Sequence, residues 1–122
     1  MGKSVHNDVL DAALDVIVTC VRLAVCSTEP TSVTEALTTY ALSTHTLTTG
    51  DFTIADGDAS GRKVTVAQQA SLPITATGVP QHVALLTTSI LYLVTTCTGG
   101  ALTSTDNTVT VPAFDAEIAD PT

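Results

Sequence analysis

The segment Phe114-Asp115-Ala116-Glu117-Ile118 alternates strictly between apolar and acidic side chains. Phe114, Ala116 and Ile118 project one way, Asp115 and Glu117 the other. Side chains of a strand alternate with a period of two, so this pattern reads as a strand with one dry and one wet face. Such strands belong typically to antiparallel sheets. The same kind of signal recurs back to Tyr40, as β-branched runs separated by turn residues every 8–12 positions. The spacing predicts strands at Ala41–Leu47, Asp51–Ala55, Lys63–Ala67, Ile74–Gly78, Gln81–Thr87, Ile90–Thr96, Thr108–Val111 and Phe114–Ala119. Turns are marked by Thr49-Gly50, Asp56-Gly57-Asp58, Ser60-Gly61, Gly78-Val79-Pro80, Gly99-Gly100 and Asp106-Asn107.

Upstream of Tyr40 the period changes. Val9, Leu10, Ala13, Leu14 and Ile17 form an apolar stripe at helical spacing, with Asp8, Asp11 and Asp15 placed on the other face. A helix is expected from Asn7, as N-cap, to about Cys20. The three aspartates are read as its solvated face. Val21, Leu23 and Val25 then alternate with Arg22, Ala24 and Cys26, which predicts a first strand over Cys20–Ser27; a helix continued to Val25 competes with it. Pro30 breaks the chain, and Ser32-x-x-Glu35 matches a capping box opening a short helix to about Thr39. The expectation is a mainly β (α+β) fold in one domain spanning 1–122. An N-terminal helix (about 7–20) precedes an antiparallel β-sandwich or barrel of about eight short strands.

Composition narrows the function. The chain has 122 residues, four Lys+Arg, twelve Asp+Glu and a formal charge of −8. Phosphate contacts need clustered Lys/Arg, so a nucleic-acid partner is not expected. No stretch reaches the roughly 18 unbroken apolar residues of a membrane helix, so no membrane partner is expected either. Asp8, Asp11 and Asp15 fall where a signal peptide would be apolar, which predicts synthesis in the cytoplasm without export. Thr supplies 24 positions. It is β-branched, so it favours extended backbone, and its hydroxyl hydrates a sheet face without charge. With little Lys to guard strand edges, such a sheet suits a permanent assembly whose neighbours cover them.

Chemical motifs are sparse. Asp56-x-Asp58-x-Ser60-Gly61 resembles the first half of a calcium loop, but position twelve is Ala67, where a bidentate Glu would be needed. A polar hairpin loop is the expected reading, in which Arg62 and Lys63 hold the tip or meet an acidic neighbour. Ser60-Gly61-Arg62-Lys63 matches Ser-x-x-Lys of penicillin-binding enzymes without their other motifs. Cys20, Cys26 and Cys97 have no zinc-like spacing and are expected as free thiols. His6, His45 and His82 lie far apart, with His82 expected at a strand start with its ring at the surface. No nucleophile elbow or phosphate loop is present. No catalytic, cofactor-binding or metal-binding residue is assigned, no cofactor is expected, and the chain is read as not an enzyme.

Four blocks carry a likeness to known proteins: Met1–Leu14, Gly50–Val64, His82–Leu86 with Leu91–Cys97, and Asn107–Ile118. Together they resemble a group of small virion structural proteins of tailed double-stranded DNA phages. The resemblance spans nearly the whole chain and carries no catalytic residues. It implies a virion location and a structural role, foremost that of a capsid decoration (cement) protein. Its partners would be the major capsid protein or another virion protein, and copies of itself, with a trimer expected. The segment through the first helix and the sheet edges are the expected contact surfaces. A neck or tail accessory, or fibre-anchoring, virion protein is the alternative. A host-glycan adhesion module is a further one, and a hydrolase finds least support.

Overall fold

The computed structural model describes residues 3–104 and 108–121. The helix α1 runs Asn7–Val18. Among the described residues nine strands follow: β1 (Arg22–Cys26), β2 (Ala41–Thr46), β3 (Phe52–Asp56), β4 (Arg62–Val66), β5 (Gln69–Leu72), β6 (His82–Leu86), β7 (Leu91–Thr96), β8 (Val109–Val111) and β9 (Phe114–Ile118). All pair antiparallel. One sheet has the order β2-β1-β6-β7, a second β3-β4-β9, and a third is the pair β5-β8. The architecture is sandwich-like and mainly β. Among the described residues the sheets do not close into a barrel, which decides between the two expected forms. The predicted turn at Asp106-Asn107 lies outside the described residues.

The core sits between the first two sheets. Leu23 and Val25 of β1, Val83 and Leu85 of β6, Phe52 of β3, and Val64 and Val66 of β4 pack there with Leu14 of α1. The expected strand alternation is what aims these side chains inward. The helix bridges the two sheets, touching β3 and β4 on one side and β7 on the other.

The central strands differ from the half-wet expectation. In β1, Leu23, Ala24, Val25 and Cys26 are all buried, and in β6 so are Val83, Ala84, Leu85 and Leu86. The second face is covered by the segment around Glu35–Thr39, which forms one turn of π-helix and packs Ala36, Val33, Leu37 and Tyr40 on Ala24, Cys26, Ala84 and Leu86. Small residues at 24, 36 and 84 allow this close approach, and the Cys26 thiol donates to Ala36 O at 3.5 Å. Ser32 Oγ accepts from Glu35 N–H (3.2 Å), which is half of the expected capping box. The Glu35 carboxylate instead turns to Thr31, accepting from its N–H (2.8 Å) and hydroxyl (2.6 Å).

Several expectations need correction. The helix ends at Val18, and its N-cap is His6, whose Nδ1 accepts from Asp8 N–H at 3.1 Å. Its buried stripe is Leu10 and Leu14 with half-buried Ile17, whereas Val9 and Ala13 are exposed. Asp11, expected in water, turns to Arg62. The strand predicted at Ile74–Gly78 is absent; the chain pairs earlier, at Gln69–Leu72. Pro73 removes a donor, and Thr75 N–H bonds singly to Leu42 O (2.8 Å), leaving only a lone bridge at Gly78. The first strand also begins later than predicted, because Cys20 still bonds back to Ile17 O.

Candidate functional site

Two regions of the surface bring functional groups together. The first is the β3–β4 hairpin. The pairing Asp56↔Arg62 closes it, and Gly61 takes φ +73, the left-handed conformation that glycine adopts freely. A Cβ at Gly61 would lie 1.9 Å from Ile118 O, so the tip is pressed against β9. Asp58 N–H donates to Glu117 Oε1 (3.0 Å) and Asp120 N–H to Ser60 Oγ (3.2 Å), which binds the tip to the end of β9.

Alternation sends Arg62 and Lys63 to opposite faces of the hairpin. Arg62 grips Asp11 with two bonds, Nε–Oδ1 at 2.8 Å and Nη2–Oδ2 at 3.3 Å, and Asp56 with Nη1 at 2.6 Å. This fork ties α1 to the sheet and holds the guanidinium pKa above its ordinary value, chiefly through the bond to Asp11. On the other face Lys63 Nζ meets Asp58 at 2.7 Å and Asp115 at 3.4 Å, and its pKa is raised, first by the bond to Asp58. Thr65 donates to the other Asp115 oxygen at 2.7 Å. Both expected uses of Arg62 and Lys63 are therefore present: they hold the tip and meet acidic neighbours.

The half-motif for calcium is spent on these cations. Asp56 and Asp58 face Arg62 and Lys63, and Ala67 sits past β4 with its N–H on Asp51 O (2.8 Å). Among the described residues no three His, Cys, Asp or Glu side chains converge to hold a metal. A calorimetric calcium titration is expected to be flat; a saturable heat lost in Asp58→Asn would overturn this reading of the loop.

The remaining titratable groups are dispersed. His82 begins β6 as expected and is half-buried; among the described residues its Nδ1 is buried without a hydrogen-bond partner. Among the described residues Arg22 Nε is likewise buried without a partner, although Arg22 Nη2 donates to Thr44 Oγ1 at 3.2 Å. The register sets Arg22 opposite Leu86 and His82 opposite Cys26, so the strands hold the two at opposite ends of the sheet.

Three carboxyls titrate below their ordinary values. Glu35 is lowered first by the Thr31 hydroxyl, Asp51 by Thr48 N–H and Asp115 by the Thr65 hydroxyl. Over that range the unfolded chain binds more protons, so stability rises with pH. Their contribution is in place above the ordinary values of 3.8 and 4.5, and disappears as pH falls through the lower folded values. Urea midpoints measured from pH 6 to pH 2 are expected to show the decline mainly below about pH 4. A decline complete by pH 5 would contradict this assignment.

The second region is a cleft. Two hollows of about 200 Å³ each open beside the core, one lined by Val25, Pro80 and Val83 with Cys97–Gly100, Leu102 and Val109–Pro112, the other reached by Thr95 and Thr96 of β7 and by Phe114 and Asp115 of β9. They adjoin, because Val83, Cys97, Val111 and Pro112 line both. The lining is mostly apolar and reaches core residues Val25 and Val83. Cys97 is half-buried in this wall, whereas Cys20 and Cys26 are fully buried. All three thiols are free. Burial raises the Cys20 and Cys26 pKa values to about 11, and raises that of Cys97 as well. A thiol reagent at pH 8 is expected to modify Cys97 first, with the other two reacting only on unfolding. Mass spectrometry of the labelled peptides checks the order.

Sequence reasoning found the hairpin and its bases but not the cleft, whose walls come from residues more than ten positions apart in different sheets. Comparison of the chain with protein-family models, curated proteins and solved structures gives no match to any of them.

Proposed function

We propose that this chain is a structural module of a tailed-phage virion, a decoration protein that coats the outside of the expanded head. Its partners are the major capsid protein and further copies of itself, and it carries no catalytic step. The observation that supports this reading is a bare apolar stripe on α1. Val9 is 62% exposed and Val16 43%, and Ala12 and Ala13 between them are exposed as well. The helix thus has a second apolar strip, flanking the one that packs on the core. Contiguous exposed apolar surface marks a contact region rather than a solvated one. The net charge of −8 favours a place away from the packaged genome.

The mechanism is mass action. A protein that binds the expanded shell and not its precursor stabilises the expanded state, and many symmetric copies add avidity. Co-sedimentation of the purified chain with expanded and unexpanded heads tests this. Binding to expanded heads alone, weakened by Val9→Asp, is expected. Location only in the neck or tail of intact particles, at low copy number, would overturn it in favour of an accessory role there.

A further inference from the structure

The structure assigns Asp56-Gly57 as the chain's site of spontaneous isoaspartate formation, and the folded β3–β4 hairpin as the device that suppresses it. An Asp-Gly step is the most open to this reaction, because glycine puts no side chain in the way of its own nitrogen. The step occurs once in the sequence. In the reaction Gly57 N attacks Cγ of Asp56. The N–Cγ bond forms, a Cγ–O bond breaks, and the oxygen leaves as water with the amide proton and the carboxyl proton. Water then adds to the five-membered imide. Opening at the Asp56 main-chain carbonyl leaves Gly57 N on Cγ, so the main chain gains one carbon and the free carboxylate sits on Cα. Water is the only co-reactant.

Neither residue is incidental to the fold. A Cβ at Gly57 would collide with Ser60 O and lie 2.6 Å from Glu117 Oε1, so glycine is what fits. Asp56 Oδ1 accepts from Arg62 Nη1 at 2.6 Å. The tip therefore requires a labile step, and three of its own contacts hold that step back.

First, Asp56 ends β3 and pairs with Arg62. In extended backbone a residue's Cβ and the next nitrogen lie far from eclipsed about the Cα–C bond, whereas the imide ring needs them nearly eclipsed. Second, Gly57 N–H donates to Gly61 O at 2.9 Å. Turning the step into ring geometry breaks that bond, and the bond also favours the protonated nitrogen, which is not the attacking form. Third, the Asp56 carboxylate must leave Arg62 to reach Gly57 N. Exposed ion pairs hold weakly, in part because two long side chains must be ordered. Here Arg62 is already ordered: its side chain is 17% exposed, and Asp11 fixes it with two bonds. The exposed Asp56 is thus restrained by a partner that is in place beforehand. This chemistry belongs to the chain alone and is independent of the assembly role proposed above.

The test keeps the purified protein warm at neutral pH for several weeks, with the same chain in concentrated guanidinium chloride as the unprotected reference. Electron-transfer fragmentation of the peptide spanning residue 56 distinguishes the two linkages. The denatured chain is expected to form isoaspartate at residue 56 at least about tenfold faster than the folded one, because reaction waits on a local opening. Arg62→Gln should speed the folded chain by about threefold, the scale of one such ion pair. Arg62→Lys, which keeps a cation facing Asp56, should recover part of the protection. Asp11→Asn leaves the Asp56–Arg62 bond in place and should have a smaller effect. Leu85→Ala lowers stability without touching the tip, so its rate should stay near that of the unaltered protein. A folded chain that isomerises as fast as the denatured one would overturn the proposal. So would a denatured chain that forms isoaspartate chiefly elsewhere or not at all. Equal acceleration by Leu85→Ala and Arg62→Gln would place the protection in global stability rather than in the tip, and would overturn it too.

Discussion

Leu85→Ala is expected to cost about 3–4 kcal/mol, a large share of the roughly 5–15 kcal/mol that holds a domain of this kind. Leu85 has no exposed surface and sits at the centre of β6, directly opposite Leu23 of β1, which is also fully buried. Truncation loses the transfer free energy of the removed carbons and leaves a cavity. Both faces of this sheet are covered, so the backbone has little freedom to collapse into the space. Urea unfolding gives the measurement. Leu23→Ala should cost a similar amount, and the double variant less than the sum, because the two share one cavity. Ile90→Ala is the control. Ile90 is 49% exposed at the β6–β7 turn, so it should change stability by no more than about 0.5 kcal/mol. Equal effects at 85 and 90 would show that the core is not where the sheets place it.

Gly61→Ala is the second large effect, with an expected loss of at least about 2 kcal/mol. Two costs combine. An L-residue at φ +73 is strained, and its Cβ would lie 1.9 Å from Ile118 O, so β9 must move. That movement pulls on the bonds from Asp58 N–H to Glu117 and from Asp120 N–H to Ser60 Oγ. Gly50→Ala separates the causes, because the nearest atom there is Thr48 Oγ1 at 3.7 Å. It should be nearly neutral by comparison. Loss of the hairpin signals in Gly61→Ala, with the β1–β6 pair intact by amide exchange, would confirm that the damage is local to the tip. An unchanged midpoint would falsify the close approach.

Much of the fold is legible along the chain. Where one strand face is apolar and the other polar, the period of two is visible, as in Phe114–Ile118 and Arg62–Val66. The glycine at 61 and the acids around it mark the hairpin because turn chemistry is local. The pair Arg62 and Lys63 was readable as the clamp of that tip for the same reason. Gln69–Leu72 was not readable. Its two buried residues stand at its ends, with a register shift between them, so no alternation marks it. Val9 and Ala13 were misplaced because a helical stripe shows which residues are apolar, not how wide a face the partner will cover.

By itself the sequence determined the class of structure, the helix-then-strands order and an acidic surface poor in basic residues. These follow from local periods, turn residues and counts of charge. Only the tertiary structure decided which apolar residues stay bare, that the Glu35–Thr39 turn covers the second face of the central strands, and that Val83, Cys97, Val111 and Pro112 together line two adjoining hollows. Each of these depends on contacts between segments distant in the chain. An isolated strand carries no mark of whether its outer edge will find a partner.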